Sequence, residues 1–269
     1  MTGSRPSPLA LDRAINDSQG AVEALHVEQL QALSDRFESA TPQEIVRWAI
    51  EAYRGKLTVA TAFGAEGYCL IAMIAQVRDE TGIVPDIFNL DTGYQFPETL
   101  ELQERLQKHY GLCIRRVGAP ETVEHMEARF GGPIYGTDPD HCCYLRKVVP
   151  LQTALQGFDA WMAAIRREQT PERAPASIVG PDSTYCHLVK INLLANWTKT
   201  QVWDYIHKHR VPVNPLHAQG YQSIGCWRCI QAVVAGEDDR AGRWAGMAKR
   251  ECGLHVKDCS RQKMTSAHS

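Results

Sequence analysis

Four cysteines in two widely separated segments are the feature that most constrains how this chain can fold. Cys142 and Cys143 are adjacent, whereas Cys226 and Cys229 form a Cys-x-x-Cys pair much later in the chain. Four thiolates can hold a zinc ion or an iron–sulfur cluster, and a metal site built from both segments would tie them together. We therefore expect the fold to bring these four side chains to one place.

The adjacency of Cys142 and Cys143 favours a cluster over zinc, because zinc ligands usually come as spaced pairs. Neighbouring side chains point apart, so we expect consecutive cysteines to ligate only where the backbone bends sharply around a larger object, such as a cubane. Taken alone, Cys226 and Cys229 also fit a redox pair, a zinc half-site or two buried thiols. The adjacency of Cys142 and Cys143, taken alone, is also consistent with chance in a chain that has nine cysteines. The two pairs together favour a metal site.

Composition limits the classes of function. The chain has 269 residues, with 29 Lys and Arg against 31 Asp and Glu, and its formal charge of −2 argues against a general nucleic-acid partner. The most apolar uncharged run, 68–77, is far shorter than the roughly 20 residues of a membrane span, and residues 1–20 contain no apolar signal-peptide segment. We expect a cytoplasmic protein without a membrane partner, whose cysteines are reduced, metal-bound or catalytic. The sequence leaves homo-oligomerisation open.

The order of predicted elements indicates an α/β fold. Two amphipathic helices, 25–37 and one beginning at Thr41-Pro42, precede β-prone runs that alternate with helical patterns. The runs are 57–62, 85–90, 113–117 and 160–165, and the helical patterns are 68–77, 99–110, 122–130 and 202–209. Such alternation predicts a doubly wound, mainly parallel sheet. We divide the chain into a flexible arm (1–22), an α/β domain (23–215) and an irregular C-terminal segment (216–269).

Two strand ends carry residues suited to binding an anion. The first predicted strand runs into the small-residue turn 61–67, where backbone N–H groups and a helix N-terminus can bind phosphate. The same pattern also fits any βα unit that turns on glycine. Leu90-Asp91-Thr92-Gly93 follows the second predicted strand, at the edge where open α/β sheets bind ligands.

Basic residues gather near the cysteines and near one strand end. Each alone would be an ordinary surface charge, but together, in a chain of charge −2, they indicate a site for a small anion. They are Arg146, Lys147, Arg166, Arg167, Arg173, Arg240, Arg243, Lys249 and Arg250.

Cys252 is the candidate nucleophile. It follows Lys249-Arg250 and precedes His255, and neighbouring cations lower the pKa of a thiol and so increase its reactivity. Taken alone, Cys252 fits a spare thiol equally well, and Cys259 is predicted to be one. Cys69, Cys113 and Cys186 are predicted to be structural thiols.

Three segments together resemble the assimilatory adenylyl-sulfate (APS) reductase family. They are Cys142-Cys143-Tyr144-Leu145-Arg146-Lys147, Ile224-Gly225-Cys226-Trp227-Arg228-Cys229 and Glu251-Cys252-Gly253-Leu254-His255. This family is grouped with the PAPS reductases among adenine nucleotide α-hydrolase-like folds, and the similarity extends from about residue 57 to 255. Members with both cysteine motifs hold a [4Fe–4S] cluster and use APS. The resemblance therefore implies that the four cysteines bind such a cluster, that APS is the substrate and that 23–215 is a nucleotide-binding domain.

The resemblance also implies a mechanism and roles for individual residues. The Cys252 thiolate attacks the sulfur of APS, AMP leaves, and thioredoxin reduces the resulting S-sulfocysteine to release sulfite. For the cluster, a role through its charge and position, with Lys147 beside it, is favoured over electron transfer. The implied catalytic residues are Cys252 and His255, and the implied substrate-binding residues are Lys147, Arg173, Arg240, Arg243, Thr61, Phe63, Gly64 and Leu90. The chain departs from the family pattern in its hydroxyl-poor phosphate loop and in Ala163-Ala164, where many relatives have Thr-Gly.

Three other functions fit parts of the sequence. A PAPS reductase would use the same mechanism on the 3′-phosphorylated substrate. An ATP-dependent ligase or thiolation enzyme of the same fold would need a phosphate loop richer in serine and glycine. A non-enzymatic Cys₄ metal-binding or redox-sensing protein would not need Cys252 outside the four-cysteine set, nor the basic residues around it.

Overall fold

Short apolar strands form a six-stranded sheet at the centre of the molecule. A computed structural model describes residues 27–185, 187–234 and 236–254. The strands are β1 (Leu57–Thr61), β2 (Asp86–Asp91), β3 (Arg115–Gly118), β4 (Ala160–Met162), β5 (Val179–Pro181) and β6 (Val189–Ile191). Their order is β3-β2-β1-β4-β6-β5, and every neighbouring pair is parallel except β5 with β6. The predicted mainly parallel sheet is confirmed.

Helices connect the strands. They are α1 (Val27–Phe37), α2 (Pro42–Ala52), α3 (Ala65–Thr81), α4 (Pro97–Tyr110), α5 (Val123–Phe130), α6 (Pro139–Cys143), α7 (Val149–Ala154) and α8 (Lys199–His209). A π-helical turn (Tyr144–Val148) joins α6 to α7, and 3₁₀ turns span Arg167–Gln169, Pro215–Gln219 and Trp227–Cys229. Thr198 and Gln201 form a capping box that begins α8.

Successive side chains of a strand point to opposite faces of a sheet, which places apolar groups on both faces here. Ile87 of β2 lies in the main core with α2, α3 and α8, whereas Phe88 packs on the other face with Leu151 of α7 and Trp161 of β4. Both faces of the sheet are therefore covered, as a doubly wound fold requires.

The strand order creates a crevice. From β1 the chain builds outward to β3 and then returns to place β4 on the other side of β1. Parallel sheets bind ligands outside the carboxyl ends of their strands where the order reverses in this way. The residues after β1 and β4 are thus the expected walls of a site.

Several predictions of local structure differ from the fold. β3 begins at Arg115 rather than at 113, so Cys113 precedes the strand and is exposed, and its prediction as a buried structural thiol is wrong. The neighbours Leu112 and Ile114 are buried instead. Cys69 lies in the core of α3 as predicted. The strands β5 and β6 were not predicted, because each has only three residues and no periodicity can be read from so short a run.

Parts of the sequence predictions fall outside the described residues. These parts are the arm 1–22 and the residues Cys186, His255 and Cys259. The division of the chain at residue 215 stays a prediction. Among the described helices, none combines the length and apolar character needed to cross a membrane.

Replacing Thr198 by Ala should lower the free energy of unfolding by about 1 kcal/mol. The Thr198 side chain accepts a hydrogen bond from the N–H of Gln201, and without it that donor at the start of α8 loses its partner. Urea unfolding followed by circular dichroism measures the change. Thr200→Ala, at an exposed position of the same helix, is the matched control and should not destabilise the protein. Equal stability of Thr198→Ala and wild type would contradict the assigned cap.

Candidate active site

A cavity of about 300 Å³ opens at the carboxyl ends of the central strands. Its walls come from the turn after β1, the end of β2, the residues after β4 and the C-terminal segment. Of the residues predicted to bind substrate or act in catalysis, eight line it: Thr61, Gly64, Leu90, Lys147, Arg173, Arg240, Arg243 and Cys252. The structure thus brings together residues that are far apart in sequence. Phe63 is the predicted residue whose side chain is elsewhere, fully buried in the main core.

The turn between β1 and α3 presents backbone donors to the cavity. Gly64 is the N-cap of α3 and provides no side-chain cap, so the first N–H groups of this 17-residue helix are open to a ligand. The cavity wall includes the residues from Gly64 to Gly67. A helix N-terminus of this kind favours an anion through its N–H groups and its dipole.

Two local features fix the shape of this turn. Phe63 has a φ of +52°, in the left-handed region that non-glycine residues rarely adopt, and its N–H donates to the Thr61 hydroxyl at 3.2 Å. A Cβ on Gly67 would lie 2.7 Å from that hydroxyl oxygen. Glycine at position 67 therefore allows the first turn of α3 to approach Thr61 closely. The shape of this turn thus rests on backbone geometry and one hydroxyl, that of Thr61.

The four cysteines of the predicted metal site converge. Cys142, Cys143, Cys226 and Cys229 line one small cavity of about 10 Å³, with Lys147 beside them. The 3₁₀ turn that carries the Cys-x-x-Cys pair is held against the segment after β2, where the N–H of Trp227 donates to the carbonyl of Tyr94 at 2.9 Å. The Thr92 hydroxyl lies 3.3 Å from the sulfur of Cys226. The expectation that the fold joins the two segments is met.

The backbone at Cys142-Cys143 does not bend sharply, contrary to the prediction. These residues end α6, and the chain continues with right-handed helical angles through the π-helical turn into α7. Successive side chains on a helix diverge by about 100°, because a turn contains 3.6 residues, so both sulfurs can face one cavity. Cys142 packs with Cys226, and Cys143 packs with Cys252. The π-helical turn presents Lys147 to the same region.

The chemistry of the four thiols fits a bound metal cluster. Burial and the neighbouring cysteines raise the pKa of Cys142 to about 12 and that of Cys229 to about 11, so these thiols hold their protons at neutral pH unless a cation replaces them. A four-thiolate set is the usual ligand set of a [4Fe–4S] cluster. Among the described residues, no group of three His, Cys, Asp or Glu side chains is arranged for a single metal ion. The cluster and its ligands stay a prediction.

The pKa of Cys252 is shifted in the opposite direction from the pKa values of Cys142 and Cys229. Cys252 is buried, which by itself would raise its pKa, but Lys147, Arg243 and Arg173 together lower that pKa below the ordinary value. The thiol lines the large cavity and packs against Cys143 and Trp244. A buried thiol stabilised as its anion in a cavity is suited to act as a nucleophile.

Three arginines from two distant segments, Arg173, Arg240 and Arg243, line the cavity beside Cys252. Arg243 donates to the Ser223 hydroxyl at 3.2 Å, while its buried Nε has no hydrogen-bond partner within the described residues. Arg240 is largely shielded from solvent beside Arg243 and Arg173, and desolvation and this repulsion lower its pKa to about 10. An anion relieves the mutual repulsion among neighbouring cations, so these three arginines are suited to bind a sulfate or phosphate group.

Two other cations predicted near an anion site also have carboxylate partners. Arg166 is buried and pairs with Glu66 at 2.7 Å and with Glu168. Arg167 pairs with Glu38 at 2.5 Å, just beyond α1. Their partners lie far away in sequence except for Glu168, which explains why the sequence alone indicated free charge.

Sequence reasoning missed two contributors to the site. Glu251 binds Arg173 and Arg240, and its only signal was an acidic residue within a basic tail next to Cys252. Trp244 packs against Cys143 and Cys252 and has a φ of +48°, which no pattern in the sequence indicated.

Comparisons with known proteins identify the relatives of this chain. The model of the phosphoadenosine phosphosulfate reductase domain matches residues 56–232. A phosphoadenosine 5′-phosphosulfate reductase from Gloeobacter violaceus is 41% identical over 87% of this chain and 97% of its own length. An adenosine 5′-phosphosulfate reductase from Anoxybacillus flavithermus is 42% identical over 78% of this chain and 88% of its own.

A solved structure shares the fold. The phosphoadenylyl-sulfate reductase from Candida auris, in a phosphate complex, superimposes with a TM-score of 0.67 and 30% identity. The match covers 80% of this chain and all of the solved one. This similarity and the strand order confirm the predicted fold class.

Replacing Lys147 by Met should raise the pKa of Cys252, because Lys147 is the strongest of the cations that lower it. A higher pKa leaves less thiolate at neutral pH, so alkylation by iodoacetamide slows at pH 7 and its pH midpoint moves upward. Mass spectrometry of the Cys252 peptide measures the rate at each pH. Lys208→Met, at an exposed position of α8, should not change the profile. An unchanged profile in Lys147→Met would contradict the assigned electrostatics.

Proposed function

The chain belongs to the phosphoadenosine phosphosulfate reductase family, and from this premise we propose that it reduces adenosine 5′-phosphosulfate to sulfite and AMP, with thioredoxin as the electron donor. The observation that carries the proposal is the position of Cys252, which lines the same cavity as the predicted phosphate loop and the cations Lys147, Arg173, Arg240 and Arg243. Family membership makes the chain an enzyme and argues against a purely structural or sensing role for its cysteines.

The cavity supports binding of a nucleotide with an anionic end. The open N-terminus of α3 suits the phosphate, and Lys147, Arg240 and Arg243 suit the sulfate next to the nucleophile. Ala163 and Ala164 follow β4 and line the wall at the crevice, where their small side chains leave room for the nucleoside. Negative charge at both ends of the phosphosulfate is thus matched by donors that the fold has already positioned.

The proposed chemistry divides the reduction into two transfers. The Cys252 thiolate attacks the sulfur of the substrate in line, an S–S bond forms, and the S–O bond to AMP breaks with its electron pair going to AMP. Cations lower the barrier, because an anionic nucleophile otherwise repels an anionic substrate and charge accumulates on the leaving phosphate. The dithiol of thioredoxin then supplies two electrons, becomes a disulfide and releases sulfite from Cys252. We propose that His255 assists as a second catalytic residue.

We further propose that Cys142, Cys143, Cys226 and Cys229 hold a [4Fe–4S] cluster. When bound, the cluster supplies fixed charge and a rigid anchor between the two segments rather than electrons for the reaction. Lys147 lines both the small cysteine cavity and the large cavity, so it is the residue through which the cluster's charge reaches the substrate site.

Adenosine 5′-phosphosulfate is favoured over the 3′-phosphorylated substrate by the pair of cysteine motifs. Relatives with similar identity to this chain carry both names. Substrate preference therefore has to be measured directly, with both compounds offered to the same preparation.

Cys252→Ser should reduce sulfite release to background, because a hydroxyl at this site stays protonated and cannot replace the thiolate. Protein purified anaerobically is assayed with thioredoxin and either substrate, and AMP binding is measured in parallel. We expect Cys252→Ser to bind AMP like the wild type. Full activity in this variant would overturn the mechanism, and sulfite formed mainly from the 3′-phosphorylated compound would overturn the substrate assignment.

Anaerobic wild-type protein should contain about four irons and about four sulfides per chain. Cys142→Ser should lose most of this iron, because one of four ligands is removed. Cys113→Ser is the matched control, since Cys113 is an exposed thiol remote from the four-cysteine cavity, and it should keep the wild-type iron content. Zinc in place of iron, or iron that survives Cys142→Ser, would contradict the proposed cluster.

A further inference from the structure

Glu251 is a buried anion among the cations of the active site. Its side chain is 8% exposed and lies between Arg173 and Arg240, whose side chains are 10% and 14% exposed. The sequence gives it no role beyond that of a neighbour of Cys252. A carboxylate in this position reduces the positive charge available to the substrate, so its presence needs a reason.

The carboxylate is bound through both of its oxygens. Oε2 accepts from Arg173 Nη2 at 3.0 Å, while Oε1 accepts from Arg173 Nε at 3.1 Å and lies 3.2 Å from Arg240 Nη2. The Thr170 hydroxyl also donates to Oε1 at 3.3 Å. Bidentate contacts between arginine and carboxylate are among the strongest hydrogen bonds in proteins, and burial strengthens them further.

The segment that carries Glu251 and Cys252 has no regular structure of its own. Residues 245–254 include no helix or strand within the part of the chain that the structure describes. Polar contacts attach it instead: Lys249 pairs with Asp140, the Arg250 carbonyl accepts from Arg240 Nη2 at 2.9 Å, and Glu251 binds its two arginines. Of these contacts, the one at Glu251 is the most buried and is one peptide bond from the nucleophile.

We propose that Glu251 is a positioning residue: its carboxylate docks the C-terminal segment on Arg173 and Arg240 and thereby holds the Cys252 sulfur at the substrate cavity. This inference rests on the proposed role of Cys252 as the nucleophile. Reaction rates depend steeply on the placement of the reacting atoms, so a contact that fixes the nucleophile affects turnover more than it affects substrate binding.

A different role for the same contact would be that of a placeholder. In that case Glu251 occupies Arg173 and Arg240 until the substrate's anion displaces it, and its removal strengthens substrate binding without slowing turnover. The two roles predict opposite effects on the rate constant for turnover, which makes them separable by experiment.

The test compares Glu251→Gln with the wild type in two assays. Removing the charge while keeping the shape should lower kcat for sulfite release by about 10- to 100-fold, the range expected for loss of a charge-assisted hydrogen bond, without weakening AMP binding. Docking is measured separately by limited trypsin digestion at Lys249, whose side chain is only 5% exposed. Cleavage there should become about 10- to 100-fold faster. Glu251→Asp, which keeps the charge, should recover part of both effects.

Glu38→Gln is the matched control, because Glu38 also pairs with an arginine but on the surface away from the cavity. It should leave kcat and cleavage at Lys249 unchanged. Unchanged cleavage and turnover in Glu251→Gln would overturn the inference, as would tighter AMP binding with undiminished kcat. Weaker AMP binding and a lower melting temperature in parallel with lost activity would reduce Glu251 to a structural residue. If Cys252→Ser stays active, the proposed function fails regardless of Glu251; if it is inactive and Glu251→Gln is normal, only this inference fails.

Discussion

Lys147 keeps its charge at a depth where burial alone would remove it. Burial lowers the pKa of a lysine, but the surrounding thiols of Cys226, Cys252 and Cys143 raise it above the ordinary value. An unpaired buried charge is costly, and the ammonium group and the Cys252 sulfur, whose pKa is lowered in turn, stabilise each other. Because Lys147 lines both cavities, this one interaction couples the predicted cluster to the proposed nucleophile. The helical path through α6 and the π-helical turn carries the cysteine pair and the lysine on one continuous helical element, which fixes Lys147 relative to Cys142 and Cys143.

The same electrostatic balance divides the cysteines into two chemical classes. Cys142 and Cys229 are surrounded by other sulfurs and have raised pKa values, so they become anions only when a cation replaces their protons. Cys252 is also buried, but it faces Lys147 and two arginines and its pKa is lowered. A thiol whose pKa is lowered by neighbouring cations is more reactive without a metal, whereas one that loses its proton only to a metal is suited to bind it. The position of each cysteine relative to the cations therefore determines whether it is suited to bind a metal or to react with a substrate.

Features that depend on local sequence patterns and motifs could be predicted from the sequence. Features that depend on contacts between distant residues could not. The strands β1, β2 and β4 follow from β-prone patterns in the sequence, and the convergence of the cysteines follows from metal-ligand chemistry. The pairing of Arg167 with Glu38 could not be read, because the two residues are far apart and meet only through the sheet. The π-helical turn could not be predicted, because its pattern of backbone hydrogen bonds does not require particular residue types. The contacts of Glu251 could not be predicted for a related reason: the role of one acidic residue in a basic segment can be inferred only when its partners in the fold are known.

The proposed reaction requires Cys252 to meet two very different partners. A small substrate can reach the sulfur through the cavity, but the residue is only 8% exposed, which is too little for contact with a second protein. The segment must therefore leave the cavity after the first transfer. A strand or helix in the core would lose many backbone hydrogen bonds and apolar contacts on leaving, whereas an irregular segment attached by ion pairs breaks only a few polar contacts, and water compensates for them. Attachment through Glu251 is thus strong enough to align the thiolate and still reversible. Apolar contacts of Cys252 and Leu254 with Cys143 and Trp244 supplement the ion pairs. The surface that these contacts bury is exposed again when the segment leaves, so a larger apolar attachment would cost more free energy at each turnover.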